Sequence, residues 1–264
     1  EGDMIAAMGL KYGTPEATYF SADIHKIVAV EAYRSSVQMA KERGAFAIYD
    51  AEREKNNPFV NRIKSVDPAL YDEMVKYGRR NIACLTIAPT GTTSLMTQTT
   101  SGIEPVFLPV HKRRRKVNPN DTNVHVDFVD ESGDSFEEYI VYHPKFLTWM
   151  EVNNYDTSKN YTQEEIDELI KISPYYGATA NDVDWLEKVK MQGAIQKWVD
   201  HSISVTINLP NDVSEELVNS LYIEAWKSGC KGCTVYRDGS RSGVLISTKK
   251  SDKKEEECHC KPPQ

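Results

Sequence analysis

A polar loop follows directly after an apolar segment, and the residue types of this loop suit phosphate binding. Residues 82–88 form a short apolar run, which predicts a buried strand. The loop that follows contains Pro89, Thr90, Gly91, Thr92, Thr93 and Ser94. Gly91 lets the backbone approach a ligand closely, and hydroxyl and backbone N–H groups can donate to phosphate oxygens. We expect a helix to start near Ser94 and to add its positive end.

The alternative for this loop is an ordinary strand-to-helix turn with hydroxyl caps. The loop lacks the G-x-x-x-x-G-K-[ST] pattern of a Walker loop, so it is not a nucleotide site of that class. The sequence also lacks G-x-S-x-G, H-E-x-x-H and the glycine fingerprint of a Rossmann domain. The phosphate loop is therefore one hypothesis and the capped turn is the other.

Cysteines near the end of the chain form a second candidate group. Cys230 and Cys233 are spaced C-x-x-C, and Cys258 and Cys260 flank His259. Together they could be zinc ligands, although the second pair is spaced more tightly than a zinc knuckle. Two thiols on a charged, mobile arm could instead exchange with a buried disulfide, or they could be idle. The odd cysteine count and the missing secretory signal indicate a reducing cytoplasm.

Composition and charge exclude several classes of partner. The chain has 264 residues with a net charge of −7, from 32 basic and 39 acidic residues, which argues against a general nucleic-acid binder. The basic run 112–116 is interpreted as a solvated loop or strand edge, since no aromatic residue is interleaved with it. No apolar run approaches the roughly 18 residues of a membrane span.

Two helices are predicted ahead of the loop. The first begins after Thr14, which can cap it, and ends at Gly44. The second begins at Asp67 and ends at Gly78. Apolar side chains at helical spacing predict the inward faces. In the first helix they are Ala17, Phe20, Ile24, Ile27, Val28, Ala32, Met39 and Ala40, and in the second Leu70, Met74 and Val75.

The second half of the chain predicts a mixture of strands and helices. A hairpin is expected over 124–142, with its turn at 130–134. Helices are expected at 162–172, 181–199 and 214–227. Strict alternation predicts a strand over 202–209, and a last short strand is expected at 233–236. Strand, helix and strand in this order indicate a parallel unit.

Two segments resemble ribonucleotide reductases. Residues 88–94, followed by 101–105, are similar to the substrate-phosphate loop of the large chains of that family. Residues 229–241 resemble the late segment of its adenosylcobalamin-dependent branch, class II. Residues 2–33 and 200–210 also resemble segments of this family. The resemblance covers most of 1–246 and is weakest from 111 to 190.

The resemblance implies an α/β fold, the later half of a ten-stranded α/β barrel built from two parallel half-barrels. On this basis residues 1–247 are the C-terminal portion of the catalytic barrel, with 111–190 as an inserted β-hairpin and helical segment. Residues 248–264 are expected to be a flexible tail. The radical-bearing cysteine of the family, with its asparagine and glutamate, is expected upstream of Glu1, so no catalytic residue is assigned here.

The implied activity is reduction of ribonucleotides to 2′-deoxyribonucleotides by thiyl-radical chemistry, with adenosylcobalamin as cofactor. The enzyme would be of the ribonucleoside-diphosphate reductase type, and the chain alone would be inactive. A thioredoxin-type reductant would act through Cys258 and Cys260. Nucleotide effectors would bind upstream. The resemblance also implies a cytoplasmic protein with no nucleic-acid or membrane partner, and it allows a homodimer.

Two other interpretations remain open. One is the large chain of an iron-dependent, class I reductase, which carries adjacent tyrosines in the helix before the last strand. Here that place is occupied by Tyr222 and Ile223, which argues against this branch. The other is a non-catalytic nucleotide-phosphate-binding module. An Asn-x-Cys-x-Glu loop upstream would favour the enzyme over the module.

Overall fold

The computed structural model describes residues 1–118, 124–129, 133–237 and 245–246. The chain divides into two compact units. The first comprises Glu1–Pro109 and His143–Ser242, and the second comprises Val110–Tyr142 and Gly243–Gln264. The predicted tail 248–264, with Cys258 and Cys260, lies outside the described residues, as do the last residues of the 229–241 motif.

The first unit carries ten helices within the described residues. They are α1 (Gly2–Ala7), α2 (Pro15–Arg43), α3 (Ala51–Glu54), α4 (Pro58–Val66), α5 (Pro68–Tyr77), α6 (Gly91–Thr97), α7 (Pro144–Val152), α8 (Gln163–Ile172), α9 (Trp185–Gln196) and α10 (Glu215–Lys227). The strands of the described chain are β1 (Val110–Lys116), β2 (Phe128–Val129), β3 (Ser135–Tyr142), β4 (Thr206–Leu209), β5 (Thr234–Arg237) and β6 (Leu245–Ile246). Among these described helices, none is both long and apolar enough to cross a membrane.

Helix ends fall where the capping residues predict them. The Thr14 side chain accepts a hydrogen bond from the Ala17 N–H, and α2 ends at Gly44, whose φ is 80°. Thr162 and Glu165 form the expected capping box of α8, each side chain accepting from the other's backbone N–H. These predictions are confirmed because each depends on contacts within one helical turn.

The inward face predicted for α2 is partly wrong. Ala17 and Ala40 are buried, but Ile27 is 58% exposed and Val28 is 49% exposed. Met39 and, in α5, Val75 are also exposed. The reason is that α5 packs against a different side of α2, around Tyr33. Helix α9 also contacts α2, and its buried residues share a core cluster with Ala17. The core on this side contains Ala29, Tyr33, Val37, Phe59, Val60, Ile63, Leu70 and Met74.

The predicted parallel unit is present. Strands β4 and β5 pair in parallel, from Thr206 opposite Thr234 to Leu209 opposite Arg237, and α10 connects them. The alternation predicted for 202–209 is confirmed, since Ile203, Val205, Ile207 and Leu209 are all at most 4% exposed. The regular strand is shorter than expected, because the residues before Thr206 pair instead with the segment that precedes the phosphate loop.

The second unit contains a four-stranded sheet in the order β2–β3–β1–β6. The hairpin of β2 and β3 is confirmed, but the longest pairing joins β1 and β3, antiparallel. The basic run 112–116 lies within β1. Lys112 and Arg113 also pair with β6, but residues 114–116 pair with β3 alone and are exposed, so the interpretation as a solvated strand edge holds for this part of the run. Acidic residues of β3 lie opposite it: Arg114 pairs with Glu138 at 2.7 Å and Arg115 with Glu137 at 2.9 Å.

Candidate functional site

The segment ahead of the loop is extended but is not the buried strand that its composition predicts. It pairs with 201–204 through three backbone hydrogen bonds and one parallel bridge, Ile87 to Ile203. The His201 N–H donates to the Leu85 carbonyl (3.0 Å), the Ile87 N–H to that of Ser202 (3.2 Å), and the Ser204 N–H to that of Ile87 (2.8 Å). The first residues of the segment are exposed to solvent, and Ile82 is 61% exposed.

The Asp200 carboxylate anchors the beginning of this segment. It accepts hydrogen bonds from the backbone N–H groups of Cys84 (2.7 Å) and Leu85 (2.9 Å), and from the Tyr33 hydroxyl (2.7 Å). Burial, strengthened by Asp200, raises the pKa of Tyr33 far above its ordinary value, so its hydroxyl keeps the donated proton. Burial also raises the pKa of Cys84, which is therefore a thiol at neutral pH. The anchor ties the segment to α2 and to the residue before the 201–204 strand segment.

The predicted phosphate loop begins α6 three residues earlier than expected, at Gly91 rather than near Ser94. Thr90 precedes the helix in the left-handed region, with φ 50° and ψ 31°. This conformation is rare for a β-branched residue and costs of the order of 1–3 kcal/mol. The Ser94 hydroxyl donates to the Gly91 carbonyl at 2.8 Å. A strained threonine at the turn indicates that the surrounding structure fixes the loop in this shape.

The backbone of this loop presents hydrogen-bond donors. The first N–H groups of a helix have no acceptor within the helix, and here these groups belong to Gly91, Thr92 and Thr93. A left-handed residue followed by helical residues forms a concave anion-binding turn. A Cβ on Gly91 would meet no atom within 4 Å, so space beside the turn is open. Of the six predicted residues, Pro89, Thr90, Gly91, Thr92 and Thr93 are exposed and Ser94 is half-buried, so the turn presents donors of the kind that suit an anion.

Two charged residues that contact Thr206 of β4 were not predicted as functional. Glu104 accepts a hydrogen bond from the Thr206 N–H (2.8 Å), and the Lys188 ammonium donates to the Thr206 carbonyl (2.8 Å). Lys188 is only 3% exposed, and burial lowers its pKa to about 8 despite the opposing effect of the Glu104 charge. Glu104 lies in the 101–105 motif, which was a signal, whereas nothing in the sequence distinguishes Lys188 from a surface lysine.

The segment that returns from α6 is tightly fixed. The Tyr12 hydroxyl donates to the Ile103 carbonyl at 2.6 Å. Gly2 of α1 approaches so closely that a Cβ there would lie 2.7 Å from the Glu104 carbonyl oxygen. Gly102 takes φ 52°, a conformation that glycine adopts without strain. Glu104 is therefore presented to β4 from a rigid support.

A buried polar cluster and an apolar cavity lie beside α1. Asp3 accepts from the Tyr175 hydroxyl (2.9 Å) and the Thr100 N–H (2.7 Å), and its carboxylate lies 2.8 Å from His143 Nε2. Burial alone would raise the pKa of Asp3, but these contacts hold it below its ordinary value. The cavity next to the cluster has a volume of about 230 Å³ and is lined mainly by apolar groups of α1 and α7.

The described cysteines are free thiols. Burial, with the neighbouring Cys233, raises the pKa of Cys230 to about 11, and burial raises that of Cys233. Within the described ranges, no three His, Cys, Asp or Glu residues are grouped so that they could hold a metal ion. The zinc and redox hypotheses for Cys258 and Cys260 concern residues outside the described part of the chain.

Comparisons with known proteins identify the family. Residues 1–236 match the family described as "Ribonucleotide reductase, barrel domain". A relative from Mycobacterium tuberculosis strain H37Rv, named vitamin B12-dependent ribonucleoside-diphosphate reductase, is 29% identical over 252 residues, which cover 93% of this chain and 30% of that protein. A relative of the same name from Thermoplasma acidophilum is 28% identical over 260 residues, covering 96% of this chain and 30% of that protein.

A solved structure shows the same fold. The class Id ribonucleotide reductase alpha subunit of Actinobacillus ureae superposes with a TM-score of 0.56 at 15% identity, covering 89% of this chain and 37% of that one. The chain therefore spans about a third of the length of these relatives. The resemblance stated from the 88–94, 101–105 and 229–241 motifs is confirmed. This chain belongs to the ribonucleotide reductase barrel-domain family.

Proposed function

We propose that this chain is part of a ribonucleoside-diphosphate reductase and that its loop, residues 89–94, binds the phosphates of the ribonucleotide substrate. The whole enzyme would reduce ribonucleotides to 2′-deoxyribonucleotides. The observation that carries the proposal is the left-handed Thr90, which turns the free amides of Gly91, Thr92 and Thr93 outward within a family-matched segment. The names of the relatives support the reaction.

The electrostatics of the loop favour an anion held by neutral donors. Residues 81–103 contain no Asp, Glu, Lys or Arg, so the loop and the segments that flank it carry no side-chain charge of their own. Binding would depend on hydrogen bonds from the backbone amides and the threonine hydroxyls. Hydrogen bonds to a charged group contribute about 1.5–3 kcal/mol each. Such a site selects a phosphate by the shape of the turn.

The class II assignment is also a proposal, supported by relatives named vitamin B12-dependent. We propose adenosylcobalamin as the cofactor of the whole enzyme. Two cavities of the described chain do not fit it. The 230 Å³ cavity is far smaller than a corrinoid, and the groove of about 630 Å³ beside α8 is lined by Glu164, Glu165 and Glu168, which would repel the phosphate of a cobalamin. We therefore derive no step of the reaction through the cofactor.

The remaining assignments follow from the proposed reaction. A thioredoxin-type protein would deliver electrons through Cys258 and Cys260, effectors would bind elsewhere in the whole protein, and the enzyme would act in the cytoplasm, with a homodimer as its proposed assembly. We keep 1–247 as the barrel portion, 111–190 as an insertion and 248–264 as the tail. The iron-dependent alternative is less favoured, since Tyr222 and Ile223 replace its tyrosine pair.

Gly91→Val tests the phosphate loop. A Cβ at this position meets no protein atom within 4 Å, so the fold should persist while close approach of a phosphate is obstructed. We expect ribonucleoside-diphosphate affinity, measured by calorimetry on a full-length protein containing this chain, to fall at least about tenfold, the loss of one charge-assisted hydrogen bond. Gly232→Val is the matched control, because its Cβ also meets open space. Unchanged affinity in a folded Gly91→Val protein would disprove the assignment.

A further inference from the structure

The pairing between 85–87 and 201–204 stops at a defined position. In a parallel ladder every second residue of a strand donates and accepts on the same side. Ile87 does both, donating to the Ser202 carbonyl and accepting from the Ser204 N–H. The next residue in this register is Pro89, which has no N–H to donate to Ser204. The ladder therefore ends where the phosphate loop begins.

Because the ladder ends at Pro89, the N–H and carbonyl of Thr206 on the neighbouring strand need other hydrogen-bond partners. Thr206 would be the next residue to donate to this segment. Its N–H donates to the Glu104 carboxylate instead, and its carbonyl accepts from Lys188. The opposite edge follows the ordinary pattern, since the Thr234 N–H of β5 donates to the Val205 carbonyl. Two side chains thus satisfy the edge that the loop has left.

The two side chains supply together what a neighbouring strand would supply. A carboxylate only accepts hydrogen bonds and an ammonium group only donates them, so the pair offers one acceptor and one donor. Their opposite charges also compensate each other, which matters because Lys188 is almost completely buried. Removing one partner would leave the other as an uncompensated charge. The arrangement therefore works only as a pair.

We propose that Glu104 and Lys188 are positioning residues for the phosphate loop: they take the place of a paired strand beside Thr206 and keep the loop from closing onto β4. Because Glu104 and Lys188 occupy the position beside Thr206, the chain leaves the ladder at Pro89 and turns through the left-handed Thr90. The role in substrate binding rests on the proposed function of the loop. The role in shaping the loop does not depend on it.

Backbone amide exchange and inorganic diphosphate affinity test the proposal in a full-length protein that contains this chain. We expect Glu104→Ala to accelerate exchange of the Thr206 and Ser94 amides at least tenfold and to weaken diphosphate binding at least fivefold. Glu104→Gln keeps an acceptor oxygen for the Thr206 N–H but leaves the buried Lys188 charge uncompensated, so it should recover only part of both losses. Lys188→Met should weaken binding, and its effect should be non-additive with that of Glu104→Gln.

Glu165→Ala is the matched control. Glu165 also accepts from a backbone N–H, that of Thr162, at 2.9 Å in the capping box of α8. Glu165→Ala should lower the unfolding midpoint without changing diphosphate affinity or the exchange of the Ser94 amide. If the role of Glu104 were purely structural, Glu104→Ala would give this same result.

The outcomes separate the two hypotheses. If the unaltered protein binds diphosphate and Glu104→Ala binds it equally well, the positioning role is wrong and the phosphate loop stands. If the unaltered protein binds neither diphosphate nor nucleotide, the proposed function fails. The exchange of Ser94 then decides the positioning role alone: accelerated exchange in Glu104→Ala supports it, and unchanged exchange overturns it.

Discussion

The two edges of β4 are satisfied in different ways. Toward β5, four consecutive residue pairs from Thr206–Thr234 to Leu209–Arg237 form a regular parallel ladder. On the other edge, a short backbone ladder gives way to a carboxylate and an ammonium group at Thr206. The same strand therefore has one edge built from backbone and one completed by side chains. A loop can therefore leave a sheet without unpaired backbone groups where side chains take the place of the missing strand.

Hydrophobic burial does not explain the difference between the edges. The apolar face of this strand is continuous, with Ile203, Val205 and Ile207 all at most 4% exposed. The difference arises in the segment that runs beside this edge. Pro89 has no backbone N–H to donate to β4, and Glu104 accepts from the Thr206 N–H instead. Predictions that perturb each edge separately can test this account.

The largest expected effect is a change in the pH dependence of stability. Lys188 has its pKa lowered to about 8, against an ordinary value of 10.5, so the unfolded chain holds more protons between these pH values. The free energy of unfolding should therefore rise with pH across this window, by up to roughly 3 kcal/mol, while below pH 8 the cost of burying the charge is constant. Lys188→Met should remove this rise, as measured by denaturant unfolding at pH 7 to 10.5.

The comparison between the unaltered protein and Lys188→Met isolates this residue. Burial raises the pKa of Cys230 to about 11, which lowers stability as pH rises above the ordinary thiol value, but that contribution is present in both proteins. Equal slopes in the two proteins would mean that the Lys188 charge is not penalised by burial.

A proline on the regular edge should have the next largest effect. Thr234→Pro removes the N–H that donates to the Val205 carbonyl at 3.1 Å and leaves a buried acceptor unsatisfied. We expect a loss of roughly 2 kcal/mol in the free energy of unfolding, measured in urea. The control is Thr86→Pro, because alternation turns the Thr86 N–H away from 201–204, so this variant loses only the exposed hydrogen bond from the Thr86 hydroxyl to the Ser202 carbonyl (3.2 Å). Equal losses of unfolding free energy in the two variants would contradict the proposed difference between the two edges.

The smallest expected effect on stability comes from restoring the missing donor. Pro89→Ala supplies an N–H in register with the Ser204 carbonyl, so the ladder can extend by one bond. The new bond and the lost rigidity of proline should nearly cancel, leaving a change below about 1 kcal/mol. Diphosphate affinity should nevertheless fall, because the loop can close onto the strand. Pro210→Ala, after β4, is the control, and undiminished affinity in Pro89→Ala would contradict the account.

Local patterns in the sequence predict a large part of the fold. The caps at Thr14 and Thr162 act on residues at most three positions away, and the alternation over 202–209 directly reports which side chains face the core. The acidic partners of the basic run, Glu137 and Glu138, were not predicted because they lie on a strand more than 20 residues away. Pairing between distant strands leaves no mark on either segment alone.

The candidate site shows the same division. Its loop was predicted because glycine and hydroxyl residues are adjacent in the sequence. The supports were not, because Glu104 and Thr206 are 102 residues apart and Lys188 resembles the other lysines of the chain. The left-handed Thr90 was also unpredictable, since local preference opposes it and only tertiary contacts impose it.

The conformation of Thr90 has a consequence for any attempt to make this protein more heat-resistant. Glycine or asparagine would occupy φ 50° with less strain, so a search for stabilising substitutions would favour them at this position. Either replacement would remove the threonine hydroxyl from the mouth of the loop, and glycine would also loosen the turn in the unbound state. At this position the proposed phosphate binding and thermal stability place opposite demands on one side chain, and threonine is the residue that strains the backbone.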